Sequence, residues 1–161
     1  MEETGIDLVV YGSCQNFQYL TGLLVDWRHG VDLGSEVNTV FVPWKGEPIL
    51  TLDEASSGQT TGTWIKDIRV LKKGEDYGKL IEKVISDLDM KGRKVGLGDH
   101  LRGSTTVEVL KAVGGNDFCK AEGLMDHLRM IKDEGEIERL RKAAKLTNQV
   151  MEAMIDRSTS T

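Results

Sequence analysis

The sequence predicts an α/β fold, a mixed sheet with helices on both faces, and three observations carry that expectation. Short apolar runs of strand length alternate along the chain with segments of helical period. One adjacent pair of runs flanks Trp44-Lys-Gly-Glu47, a hairpin signature, so the sheet gains an antiparallel pair beside its crossover strands. Hydrophobic content of 39% and charged content of 29% in 161 residues suit one soluble core with an appendage.

Ile6-Asp-Leu-Val-Val-Tyr11 is an apolar run after Gly5 and reads as a buried strand. Ser13 or Asn16 then caps a helix through Phe17, Tyr19 and Leu20, ended by Gly22. Val25 to Glu36 has no period and reads as a long loop. Thr39–Pro43 and Pro48–Leu52 form the hairpin. Asp53 opens a polar stretch, a weak helix and then loop to Thr63, and Ile68–Leu71 is the next strand. Tyr77 to Leu88 carries Leu80, Ile81, Val84, Ile85 and Leu88 on one helical face. Lys94–Leu97 is a strand, Thr105–Val113 a helix stopped by Gly114-Gly115, Phe118–Ala121 a last strand, and Met125–Ile131 a helical turn or two.

The final quarter is the strongest helix signal. Asp133 and Glu136 have capping-box spacing. Ile137, Leu140, Ala144, Thr147, Met151 and Met154 make a stripe of helical period that ends near Arg157. A strong helix so close to the end of the chain leads toward a further part of the protein. We therefore expect a domain over 1–130, with 131–161 as the linker and first helix leading into a second domain.

Net charge of −5 and a pI near 5.3 argue against nucleic acid or an anionic membrane as partner. Cys14 and Cys119 make neither a disulfide framework nor a CxxC pair, and no segment resembles a leader or a membrane span, so cytoplasm is the expected location. Gly96-Leu-Gly98 lacks the third glycine of a dinucleotide loop, because position 101 is Leu, and reads as a plain turn. His29, His100 and His127 are isolated, and no two of them share a helical face at metal-ligand spacing. No GxSxG elbow or other self-contained catalytic set emerges. One loop stands apart: Asp26-Trp-Arg-His-Gly30 sets an indole, a guanidinium and an imidazole side by side. Either Arg28 receives a planar carboxylate beside the flat wall of Trp27, or Trp27 plugs a core edge and Arg28 is solvated.

Several stretches together resemble a known family. Gly5-Ile-Asp-Leu-Val-Val10 and then Asn16-Phe-Gln-Tyr-Leu-Thr-Gly22 resemble the opening of the N-terminal domain of the creatinase, prolidase and aminopeptidase P family, a GID strand and then N-x-x-Y-L-T-G. Leu128 to Ala144 resembles that family's junction, LR-x-IKSPEEIE-x-(I/L)RKAA. The match runs through Leu128, Arg129, Ile131 and Lys132, then Glu136 to Glu138 and Leu140 to Ala144. Asp133 replaces the family's capping Ser, and Glu134 and Gly135 replace Pro and Glu.

The resemblance implies an N-terminal α/β domain of ribonuclease-H-like topology, ahead of a catalytic pita-bread domain. In the family's peptidases that second domain holds two divalent metals (Mn, Co or Zn) through Asp, Asp, His, Glu and Glu, all of which would lie beyond Thr161. The chain itself would then carry no catalytic residue, metal or cofactor. Its partners would be its own catalytic domain, a second subunit and a peptide or small amide substrate. In the creatinase branch an aromatic residue and an Arg at about the position of Trp27 and Arg28 reach the partner subunit's active site and hold the substrate carboxylate. Trp27, Arg28 and the neighbouring His29 are thus the expected substrate-binding residues. The expected function is that of a non-catalytic N-terminal domain of an Xaa-Pro peptidase, shaping the pocket and the dimer. The alternatives are the same domain of a creatinase-like C–N hydrolase, or a stand-alone α/β binding or assembly module.

Overall fold

The computed structural model describes residues 1, 4–24, 36–98, 100–121 and 123–159. They form two compact units, Met1–Glu122 and Gly123–Thr161. The first contains β1 (Leu8–Gly12), α1 (Gln15–Thr21), β2 (Thr39–Pro43), β3 (Ile49–Asp53), α2 (Glu54–Ser57), β4 (Asp67–Leu71), α3 (Tyr77–Asp87), β5 (Val95–Leu97), α4 (Gly103–Val113) and β6 (Phe118–Lys120). The second contains α5 (Leu124–Met130) and α6 (Glu134–Thr159). This is the element order that the periodicities predict.

The six strands lie in the order β4-β3-β2-β1-β5-β6, with β4 and β6 at the edges. The hairpin pairs antiparallel with Phe41 opposite Ile49, and β1 pairs antiparallel with β2, Val10 opposite Phe41. β1 with β5, β3 with β4, and β5 with β6 are parallel. The mixture arises from the connections: a short turn joins the hairpin strands, whereas the parallel neighbours need crossovers.

Alternation assigns the two faces. Leu8, Val10, Phe41, Ile49 and Val95 pack with Ile81, Val84 and Ile85 of α3 and Val109, Ala112 and Val113 of α4. Val9, Tyr11, Val40, Leu50 and Leu52 point the other way and are also buried, and α1 lies against β1 and β2. Both faces are covered, which explains why the strands read as continuous apolar runs. Each fully buried side chain of this size contributes about 1.5–3 kcal/mol.

Several helix ends obey local chemistry. Asp76 caps α3 by accepting from Lys79 N at 3.2 Å, and Asp53 caps α2 by accepting from Ser56 N at 2.6 Å. Gly22 takes the left-handed conformation (φ 72°) and returns its N–H to Gln18 O, ending α1 where expected. The start of α1 differs from the expectation. Cys14 occupies the N-cap with no side-chain cap, and the Ser13 hydroxyl donates instead to Asn38 O at 3.3 Å. A contact 25 residues away thus outcompetes a local one.

In the second unit the capping box forms in both directions: Asp133 Oδ1 accepts from Glu136 N at 2.7 Å, and Glu136 Oε2 accepts from Asp133 N at 2.9 Å. The helix then runs as far as Thr159, within the stretch from Arg157 onward where its end is expected. Glu138 and Lys142 pair at 3.0 Å along its polar side. Apart from half-buried Glu136, its side chains through Ser158 are exposed.

Candidate functional site

Trp27, Arg28 and His29 lie outside the described residues. What the structure does show is the ground on which that segment ends, because Glu36 is the first described residue after it. Glu36 precedes the start of β2, which pairs with the carboxyl ends of β1 and β3. In an open α/β sheet the carboxyl ends of the strands are where ligands enter, in the crevice beyond neighbouring parallel strands.

Here the protein's own groups occupy that position. The Glu36 carbonyl lies 2.8 Å from Tyr77 Oη, 2.9 Å from Thr105 Oγ1 and 3.2 Å from Thr39 Oγ1. A carbonyl oxygen has two lone pairs, so the two short contacts are the donors. Thr39 can then give its proton to Tyr77 Oη, 3.2 Å away. The Glu36 carboxylate accepts from the Ser104 hydroxyl in the first turn of α4, a helix without acidic residues in that turn and without a side-chain cap. Glu36 therefore supplies from a distant segment the negative charge that the start of α4 lacks.

The pinning continues along β2. Asn38 is buried, donates Nδ2–H to Ser56 Oγ at 2.9 Å and accepts from Asp53 N at 3.0 Å. The Thr51 hydroxyl donates toward the carbonyls of Val37 and Thr39. Residues 36–39 are so tied to β1, β3, α2, α3 and α4. Burial pushes the Tyr77 phenol up from its ordinary range, with smaller opposing effects from its hydroxyl neighbours. The group stays a neutral donor. Bonded to one another, these hydroxyls and carbonyls make an anchor for the backbone at 36–39.

Sequence reasoning missed this anchor. Its members come from positions 13, 36, 38, 39, 51, 77, 104 and 105, and no spacing announces them. It also misread Gly96-Leu-Gly98 as a turn. Gly96 is inside β5, and a Cβ there would press on Ile6 and Ala121 at 3.3 Å. A Cβ on Gly98 would land in the Tyr11 ring, whose hydroxyl donates to Ala121 O at 3.3 Å. These glycines make room for an aromatic ring and its neighbours.

At the sheet edge, Arg69 of β4 forms a fork with Asp67 (Nε–Oδ1 3.0 Å, Nη2–Oδ2 2.8 Å) and meets Asp87 of α3 at 2.7 Å. The guanidinium bond holds the Asp67 carboxyl below the usual carboxylate range, and the same bond raises Arg69 further. Among the described residues no three His, Cys, Asp or Glu side chains are grouped to hold a metal, and no helix is long and apolar enough to cross a membrane.

The comparisons with known proteins agree with this architecture. The family model of the Creatinase/Prolidase N-terminal domain matches residues 1–131. YkvY of Bacillus subtilis (strain 168), named as a dipeptidase, is 27% identical over 154 residues, which are 94% of this chain and 41% of that protein. The crystal structure of a dipeptidase from Pyrococcus horikoshii OT3 superposes with a TM-score of 0.75 at 20% identity, over 96% of this chain and 41% of its own. The N-terminal domain of an X-Pro dipeptidase from Streptococcus pyogenes superposes with a TM-score of 0.63 at 15% identity, over 78% of this chain and 90% of its own. At such identities the structural likeness speaks for the fold. The chain spans about two fifths of the length of the full-length relatives it matches.

Proposed function

The chain belongs to the Creatinase/Prolidase N-terminal domain family, and from that membership we propose that it is the non-catalytic N-terminal domain of an Xaa-Pro dipeptidase-type hydrolase. The observation that carries this reading is the family match over residues 1–131, with α6 starting directly beyond it. Relatives that bear dipeptidase names continue well past the matched part. In this reading the hydrolytic machinery belongs to the downstream part of the parent. Two divalent ions held there would supply a metal-activated water for attack on an amide carbonyl. This domain would contribute subunit contacts and the shape of the pocket.

Trp27, Arg28 and His29 are the residues of this chain that we assign to the substrate, across a dimer, on the strength of the resemblance. The pinned backbone at Glu36 supports the assignment, since a segment that must present a guanidinium to a carboxylate needs a fixed root. A cytoplasmic location is part of the proposal and rests on a sequence whose two cysteines make no disulfide framework and on its acidic composition.

The test is to read the gene onward and assay two proteins, this chain and the longer product, with Xaa-Pro dipeptides and added Mn²⁺ or Co²⁺. The longer product should hydrolyse them and carry Asp, Asp, His, Glu and Glu downstream, and this chain should be inert. Turnover that co-purifies with the 161-residue chain would overturn the reading. So would a reading frame that stops without those ligands.

A further inference from the structure

Trp64 is 60% exposed, more than Trp44 or Tyr19, yet its indole N–H donates to Leu20 O at 2.6 Å from a position 44 residues away. Burial does not account for a tryptophan there. The carbonyl does. Leu20 belongs to the last turn of α1, where the helix has no further N–H groups for its own carbonyls. Gly22 N–H donates to Gln18 O at 2.9 Å, and Leu23 N–H turns to the Thr21 hydroxyl at 3.1 Å. The Leu20 carbonyl is met by the indole instead.

The same segment closes on the helix end a second time. Gly62, at φ 110°, places its carbonyl oxygen 3.3 Å from where a Cβ on Gly22 would stand. Trp64 is itself firmly seated. Thr63 N–H reaches Thr60 O at 3.4 Å on one side of it, and Ile65 is buried on the other. Two contacts from 62–64 therefore fix where the chain leaves α1, and buried Leu23 carries it on.

We propose, on the basis of the functional reading above, that Trp64 is a positioning residue for the substrate. By holding the end of α1 it places the root from which the chain runs on to Trp27 and Arg28. Arg28 lies four residues beyond Leu24 and eight before Glu36. The freedom of a tethered point grows roughly as the square root of its distance in residues from the fixed root. The root held by Trp64 thus governs Arg28 more closely than the Glu36 anchor does. A guanidinium that meets a planar carboxylate through two parallel bonds tolerates little displacement. Tryptophan suits the task because its ring N–H only donates, and phenylalanine offers a flat ring without that donor.

The test compares Trp64→Phe, Arg28→Ala and the double variant in the longer product of the gene, assayed with Xaa-Pro dipeptides and Mn²⁺. Trp64→Phe should raise KM about two- to tenfold, the range for one neutral hydrogen bond. Its kcat should be retained, and its melting curve should hardly move, because water can replace the indole at an exposed site. The amides of Gly22 to Leu24 should exchange faster. In the Arg28→Ala background the same exchange should add nothing, since no guanidinium is left to place. If Arg28→Ala raises KM and Trp64→Phe does not, the positioning role falls and the functional reading stands. If Arg28→Ala changes nothing, the substrate assignment in that reading fails and this role falls with it. An equal effect of Trp64→Phe in both backgrounds would put its action elsewhere, and a large drop in Tm would make it a folding residue. Either result overturns the proposal.

Discussion

Gly98→Ala should destabilise the α/β unit, although the same exchange at an unconstrained site would stabilise it. Gly98 is not among the positive-φ glycines, so its backbone accepts alanine. Reduced freedom of the unfolded chain alone would then give about 0.4–1 kcal/mol of stability. Against this, the new Cβ falls inside the Tyr11 ring, and overpacking a tight core costs about 1–3 kcal/mol. The ring can move only by giving up its hydrogen bond to Ala121 O, about 0.5–1.5 kcal/mol more. The net loss is about 0.5–4 kcal/mol, centred near about 2, or roughly 6–8 °C in Tm for a unit of this size. Urea unfolding monitored by tryptophan fluorescence measures it, since all three Trp residues precede residue 122. Tyr11→Leu, costly alone, should cost much less in the Gly98→Ala background, a coupling that a double-mutant cycle reads directly. A Gly98→Ala protein as stable as wild type or more so would refute the packing account of this glycine.

Four further outcomes are expected. Tyr77→Phe removes one of the two donors on the Glu36 carbonyl and should cost about 1–2 kcal/mol in the same urea assay, with faster hydrogen exchange at 36–39. Asp133→Ala removes the cap of α6 and should speed exchange in its first turn, at a cost of about 1 kcal/mol of helix stability, leaving the urea midpoint of the α/β unit in place. Asp67 has a lowered carboxyl pKa in the folded state, so its contribution is present above the unfolded value of about 3.9 and is lost as pH falls through the folded one. Asp67→Asn should therefore flatten the acid limb of the stability profile below about pH 4; because the side chain is 44% exposed, the effect is small and fades in about 1 M salt. In the longer parent, Arg28→Ala should weaken substrate binding about ten- to a hundredfold with an unchanged melting curve, the range for a bond to a charged group, and Arg28→Lys should recover only part; an intact kcat/KM in Arg28→Ala removes this residue from the site.

Most of the architecture was legible because it is written in local chemistry. The two periodicities separate α3 and α4 from the strands, glycines end α1 and α4 in the left-handed conformation, and Asp133 with Glu136 marks the start of α6. Tertiary contacts were illegible for the complementary reason. Ser13 looks like a helix cap until Asn38 takes its hydroxyl. Gly98 looks like a turn until Tyr11 is seen beside it. The Glu36 anchor draws on segments far apart along the chain, with residue types that abound on any surface. Trp27, Arg28 and His29 were legible only through resemblance, because side-by-side residues in a loop of no period carry no geometric signal of their own.

The edge position of β4 bears on how this protein avoids sticking to itself. An uncovered strand invites a copy of itself to extend the sheet. The antiparallel register centred on Arg69 would set Asp67 against Leu71, Arg69 against Arg69, and flanking Lys66 against Lys72 of the incoming strand. Three cation-on-cation rungs stand where a growing ribbon needs complementarity, and sliding by one residue reverses which side chains face the core. Edge-to-edge extension of the sheet is thereby discouraged at this strand.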